Sequence, residues 1–168
     1  MGEAVARVAR RVNDLIESGG HHLDLSGCCL NAYPTGLYLA TSSVSDKITS
    51  ISLANNELKG MTKKFFTTYQ TIEELDLQGN QLEKLPVELG LLPILKIINL
   101  SKNKFEVFPE ELTRIQSLES INLEGNQIKD IPMDDLNKLP KLSSVNVKLN
   151  PVNKESLKNC AVKFELAL

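Results

Sequence analysis

Five ligand-type side chains crowd one stretch of the chain: His21, His22, Asp24, Cys28 and Cys29. Imidazole, carboxylate and thiolate are the ligands of zinc, but a zinc site needs them paired at set spacing in tetrahedral geometry. Here the histidines adjoin a segment of strand character, whose alternate residues point to opposite faces, and Cys28 has a structural role described below. Carboxylates also occur in adjacent pairs, Glu73/Glu74, Glu110/Glu111 and Asp134/Asp135. Acid–base catalysis needs such groups in a closed, dry pocket; side by side on a surface they are solvated charge. The chain has no Gly-x-Ser-x-Gly, no phosphate-binding loop and no Gly-x-Gly-x-x-Gly. No metal, cofactor, small-molecule substrate or enzymatic activity is expected.

The elements that carry these residues repeat. Leu-x-x-Leu-x-Leu-x-x-Asn-x-Leu reads as Ile48, Ile51, Leu53, Asn56, Leu58 and returns as Ile72, Leu75, Leu77, Asn80, Leu82. It returns again from Leu95 to Phe105, from Leu118 to Ile128 and from Leu142 to Val152, and a degenerate first copy runs Leu23, Leu25, Cys28, Leu30. Equivalent residues 23, 51, 75, 98, 121 and 145 lie 28, 24, 23, 23 and 24 apart. Each copy supplies a short strand with its leucines turned inward. One unit cannot bury its apolar face alone, so stacked neighbours share a continuous column. Asn56, Asn80, Asn103, Asn126 and Asn150, with Cys28 in the same phase, turn the chain away from the strand. Their amides are expected to form a buried ladder that satisfies loop backbone groups.

Prolines recur in the return path at Pro34, Pro86, Pro109 and Pro132. They predict short 3₁₀ or single-turn helices. The second copy lacks the proline and carries Phe65, Phe66 and Tyr69, which predicts a truer helical turn. Tyr38–Lys47 is polar and longer than its counterparts and reads as an exposed loop.

A solenoid needs lids on its terminal repeats. Val5, Val8, Val12, Leu15 and Ile16 fall at helical spacing with Arg7, Arg10 and Arg11 elsewhere, and Gly19-Gly20 ends the helix. We take this helix as the cap; the alternative is a membrane-surface helix using its basic face. At the other end Lys154–Cys160 predicts a short helix, and Val162, Phe164, Leu166 and Leu168 alternate as a terminal strand or plug. The chain is read as a single domain, residues 1–168, with a capping helix at 1–19, repeats at 20–152 and a C-terminal cap at 153–168.

A net charge of −2 offers no basic field for nucleic acid, and the absence of tryptophan removes a base-stacking platform. Three cysteines, an odd number without flanking clusters, predict a reduced, cytoplasmic protein. The Met1-Gly2 start lacks the Ser or Thr that acylation wants, Ala6 standing there instead.

The repeated Leu-x-x-Leu-x-Leu-x-x-Asn-x-Leu followed by Pro-x-x-Leu-x-x-Leu covers residues 23–152 and resembles the intracellular leucine-rich repeat superfamily. That resemblance implies an α/β fold: a right-handed β-α solenoid of about six repeats, with a parallel sheet on the concave face and an N-terminal capping helix. It also implies protein binding. Of the strand residues that point outward, Glu73, Glu74 and Asp76 adjoin Lys96, Asn99 and Lys102, followed by Glu119, Asn122 and Glu124, and then Asn146. These mixed charges form the expected docking surface for another protein. Changing Asp76 and Asn122 together to Arg is expected to abolish partner capture and leave stability within about 0.5 kcal/mol, since both read as exposed. The chain is read as a monomeric scaffold or adaptor. The alternatives are a regulatory subunit of an enzyme and the membrane-surface module.

Overall fold

The computed structural model describes residues 2–168. Met1, where the acylation reading begins, lies outside them. Helix α1 (Gly2–Ser18) leads into β1 (His22–Asp24), and six further strands follow: β2 (Ser50–Ser52), β3 (Glu74–Asp76), β4 (Ile97–Asn99), β5 (Ser120–Asn122), β6 (Ser144–Asn146) and β7 (Glu165–Ala167). All seven form one parallel sheet in chain order. The chain is thus an α/β solenoid with an N-terminal helix. The expected count of about six grows by one, because the alternating C-terminal segment pairs with β6 and becomes a strand of the same sheet.

The register is that of the repeat. Leu23, Ile51, Leu75, Ile98, Ile121, Val145 and Leu166 stand side by side as the middle residues of their strands. The first six of these are buried, as is the parallel column Leu25, Leu53, Leu77, Leu100, Leu123 and Val147. Each such side chain contributes about 1.5–3 kcal/mol by leaving water, and none could do so without the neighbouring copy.

The return path is built as the prolines require. Val87–Leu91 and Glu110–Arg114 are 3₁₀ turns after Pro86 and Pro109. Single α-turns form at α2 (Gly36–Ala40) and α4 (Met133–Asn137), and the proline-free second copy makes α3 (Lys63–Thr68). Lys154–Leu157 is a further 3₁₀ turn.

Tyr38–Lys47 departs from the exposed loop expected of it. Tyr38 and Thr41 are buried and Val44 packs on the core. The Thr41 hydroxyl donates to Leu37 O at 2.7 Å and lies 2.8 Å from the Tyr69 hydroxyl, which lies 2.6 Å from that of Tyr33. Rings of Tyr33 and Phe65 meet edge to face at 5.0 Å. Burial, with Tyr69 beside it, pushes the Tyr33 phenol far up, so Tyr33 keeps its hydroxyl proton. The extra residues of the first copy thus close a buried aromatic cluster.

α1 buries Val8, Val12 and Leu15, while Val5 stays exposed. Its end is a Schellman motif: Gly20 N–H donates to Leu15 O at 3.1 Å, Gly19 N–H to Ile16 O at 3.4 Å, and Gly19 takes φ 64°.

Candidate protein-binding face

The turn that leaves each strand decides how the open face is held. The residue before each ladder position is left-handed: Gly27, Asn55, Gly79, Lys102, Gly125 and Leu149 all have positive φ. At Gly79 a Cβ would also come within 2.4 Å of the Asn55 side-chain oxygen, so a larger residue there would have to displace that amide. This turn delivers the ladder. The Asn103 side-chain amide donates to Leu100 O at 3.1 Å and, one repeat back, to Leu77 O at 2.9 Å; its oxygen accepts from Leu82 N–H at 3.0 Å. Asn56, Asn80, Asn126 and Asn150 repeat the pattern, each tying its own loop to the preceding one. Cys28 is fully buried at the head of the series, and its N–H donates to Asn56 Oδ1 at 3.0 Å.

The outward residues line up across the sheet. One column is His22, Ser50, Glu74, Ile97, Ser120, Ser144 and Glu165; the next is Asp24, Ser52, Asp76, Asn99, Asn122, Asn146 and Ala167. The second column holds more than sequence reasoning gave it. In six of its rows a side-chain oxygen accepts from the backbone N–H two residues on: Asp24 from Ser26, Ser52 from Ala54, Asp76 from Gln78, Asn99 from Ser101, Asn122 from Glu124 and Asn146 from Lys148, at 2.9–3.4 Å. Asp76 and Asn122 are half-buried. The expectation that both could be changed to Arg within about 0.5 kcal/mol is therefore corrected: each is the acceptor of a local turn.

Cross-strand contacts fix several of the other side chains. Lys96 Nζ lies 3.2 Å from Glu73 Oε1, Asn99 Nδ2 donates to Gln78 Oε1 at 3.3 Å, and Asn146 Nδ2 donates to Glu124 Oε2 at 2.9 Å. Glu119 is half-buried at the margin beside Lys96, and Lys102 is exposed on the turn past β4, at the rim rather than on the strand. A trough of about 470 Å³ runs over β1–β4, floored by Ser50, Ser52, Asp76 and Asn99. Ile97 stands in it, 40% exposed, beside the exposed Glu74, its partner in the β3–β4 register.

The ligand-type cluster is pulled apart. His21 Nδ1 lies 2.8 Å from Lys47 O, and His22 Nδ1 lies 2.8 Å from Ser50 Oγ. Among the described residues no three His, Cys, Asp or Glu side chains converge as a metal set. Asp24 instead faces the cap. Burial would raise its carboxyl, but the hydroxyl and N–H of Ser26, with Arg11 and His22, more than reverse this and hold it below the ordinary range.

The arginines of α1 also find unexpected partners. Arg7 Nη1 donates to Gly27 O at 2.8 Å, and Arg11 Nη1 donates to Ser26 O at 2.7 Å and Asp24 O at 3.2 Å. These carbonyls lie on and just beyond the outer edge of β1. Two of the three cations on the presumed basic face are thus spent on closing the sheet. Among the described residues no helix is long and apolar enough to cross a membrane.

Seven strands stacked in register, with asparagine turns and short return helices recurring between them, define a class of repeat protein. The leucine rich repeat family model matches residues 46–105 and 73–128, and the chain belongs to the leucine-rich repeat family. It is similar to leucine-rich repeat-containing protein 20 of Mus musculus, at 50% identity over 91% of this chain and 83% of that protein. The protein of the same name from Homo sapiens is 52% identical over 92% of this chain and 84% of its own length. A solved leucine-rich repeat protein of Leptospira interrogans superposes with a TM-score of 0.77 at 24% identity. The overlap covers 94% of this chain and 39% of that one, and the likeness shows the shared fold. Leucine-rich repeat domains typically bind other proteins.

Proposed function

We propose that the chain is a non-enzymatic interaction module, a cytoplasmic scaffold or adaptor that holds a partner protein across its concave sheet. The observation that carries this reading is Ile97. A half-exposed apolar side chain stands in a trough whose polar walls are already held by turn and cross-strand hydrogen bonds. An apolar anchor inside a preorganised polar surround loses little entropy on docking. Glu73, Glu74, Asp76, Lys96, Asn99, Lys102, Glu119, Asn122, Glu124 and Asn146 form the surround. The half-buried members orient a partner, and Glu74 and Lys102, free in solvent, steer it. The spent arginines weigh against the membrane-surface reading.

Glu74 and Ile97 make no side-chain hydrogen bond among the described residues, so they test binding without disturbing the turns. The double variant Glu74→Arg/Ile97→Arg is expected to lose partner capture in a pull-down and keep its melting within about 0.5 kcal/mol of wild type. If capture survives it but is removed by changes at convex Lys63, Glu88 and Glu111, the concave reading is wrong. A stoichiometric enzyme in the captured fraction would assign the regulatory-subunit role.

A further inference from the structure

Charge is sorted unevenly over the concave sheet. In the two outward columns of β1–β6 there is no lysine or arginine, and the carboxylates Asp24, Glu74 and Asp76 all stand on the first three strands. The trough over β1–β4 is likewise lined by no lysine or arginine. Asp24 is answered by the cap, with Arg11 Nη1 3.6 Å from its carboxylate. Glu74 and Asp76 are not answered: among the described residues neither has an ion-pair partner.

The fold does not ask for either charge. Asp76 Oδ1 accepts from Gln78 N–H, but on β4, β5 and β6 the neutral amides of Asn99, Asn122 and Asn146 accept in the same way. In the Glu74 row, β2, β5 and β6 carry only Ser50, Ser120 and Ser144. Two residues apart on one face of a strand, the two carboxylates stand roughly 6–7 Å from each other at the backbone, and like charges so placed repel. Serine and asparagine would serve β3 without that repulsion. The surplus charge sits directly beside Ile97, the exposed apolar member of the same row.

We propose that Glu74 and Asp76 select the partner, and that the trough takes an extended cationic segment of another protein. This occupant presupposes docking on the concave sheet, as proposed above. Alternate side chains of an extended segment share one face, also roughly 6–7 Å apart. An apolar residue seated on Ile97 therefore brings a lysine or arginine two positions away over the β3 carboxylates. That cation relieves a repulsion which the free chain leaves standing, so the charge favours the bound state over the free one. Two carboxylates fall well short of the six to eight oxygens that calcium takes, and no metal set converges among the described residues. The same negative charge turns away nucleic acid and anionic lipid.

The test is a selection of phage-displayed random dodecapeptides on the immobilised full chain, followed by fluorescence anisotropy of the enriched peptides. Enriched sequences are expected to carry a lysine or arginine two positions from an apolar residue. The neutral double variant Glu74→Gln/Asp76→Asn keeps the turn acceptor, and it should bind them about tenfold more weakly. Ile97→Ser should weaken them as well. Added salt should loosen the wild type and leave the neutral variant little changed. Circular dichroism and thermal melting check that each variant folds, and the neutral one should melt no lower than wild type. Peptides that need Ile97 but bind the neutral variant as tightly as wild type overturn the cationic occupant and leave concave docking standing. Peptides indifferent to both changes sit elsewhere and overturn both. Enrichment of acidic or uncharged sequences, or of none, overturns the cationic occupant.

Discussion

The two edges of the sheet are finished in opposite ways. At β1 a 17-residue helix lies against the first repeat, buries three apolar side chains and sends two guanidinium groups to the free carbonyls. At β7 the outward edge groups meet no backbone partner among the described residues, and the apolar inner side of the strand is half open. Both edges face the same physical problem, unpaired amides beside an interrupted core. At one, covering apolar area and charge-assisted hydrogen bonds solve it within the chain; at the other, the groups remain available. At β1 the chain supplies both a lid for the core and donors for the edge carbonyls; at β7 it supplies neither among the described residues.

The comparison breaks most severely if α1 is removed. Deleting residues 1–18 uncovers Leu23, Leu25 and Cys28 and frees the β1 carbonyls. Several kcal/mol should be lost with Val8, Val12 and Leu15 alone, and light scattering should report aggregates. A truncated chain that stays monomeric with unchanged melting would mean that α1 is not a lid.

The ladder allows the ends to be compared with the middle. Asn103→Ala strands buried loop groups on its own turn and on the preceding one and should cost about 1–3 kcal/mol, or several degrees in thermal midpoint. Asn150→Ala, on a half-buried rung nearer the open end, should cost clearly less. Equal losses in denaturant midpoints would refute a gradient along the ladder.

A gain is expected at one turn near β7. Leu149 is 77% exposed and holds φ 57°, a conformation that disfavours a branched side chain. Leu149→Gly relieves this, offset by backbone entropy, and should raise stability by about 0.5 kcal/mol in urea unfolding. Gly125→Leu, at the same phase, should move the other way.

The smallest effect is electrostatic and belongs to the closed edge. Asp24 titrates below its usual range in the folded chain, so its contribution is present above the unfolded value of 3.8 and is lost as pH falls through the lower folded value. Asp24→Asn should flatten the acid limb of stability against pH below about 4. A mutant curve parallel to wild type at acid pH would remove the Arg11 and Ser26 contacts from the account.

The columns are legible in the order of the residues. Inward leucines, ladder asparagines and helix-breaking prolines recur at a near-constant phase, and a stacked repeat satisfies its groups only against its own copy, so the phase fixes which residues meet. The acceptors of the second outward column were also legible, since Asp, Asn or Ser two residues before a turn amide is a local pattern. Exposure hid them, because they were read as surface rather than as turn residues. Other features depend on contacts between distant segments. Tyr33, Thr41 and Tyr69 join hydroxyls across three segments that no period relates. Arg7 and Arg11 reach carbonyls that are free only because β1 is an edge. Residues 162–168 carry no asparagine turn, and pairing with β6 alone makes them a strand rather than a plug. Local chemistry repeats and can be read along the chain, whereas the ends and the exceptions depend on what lies across from them.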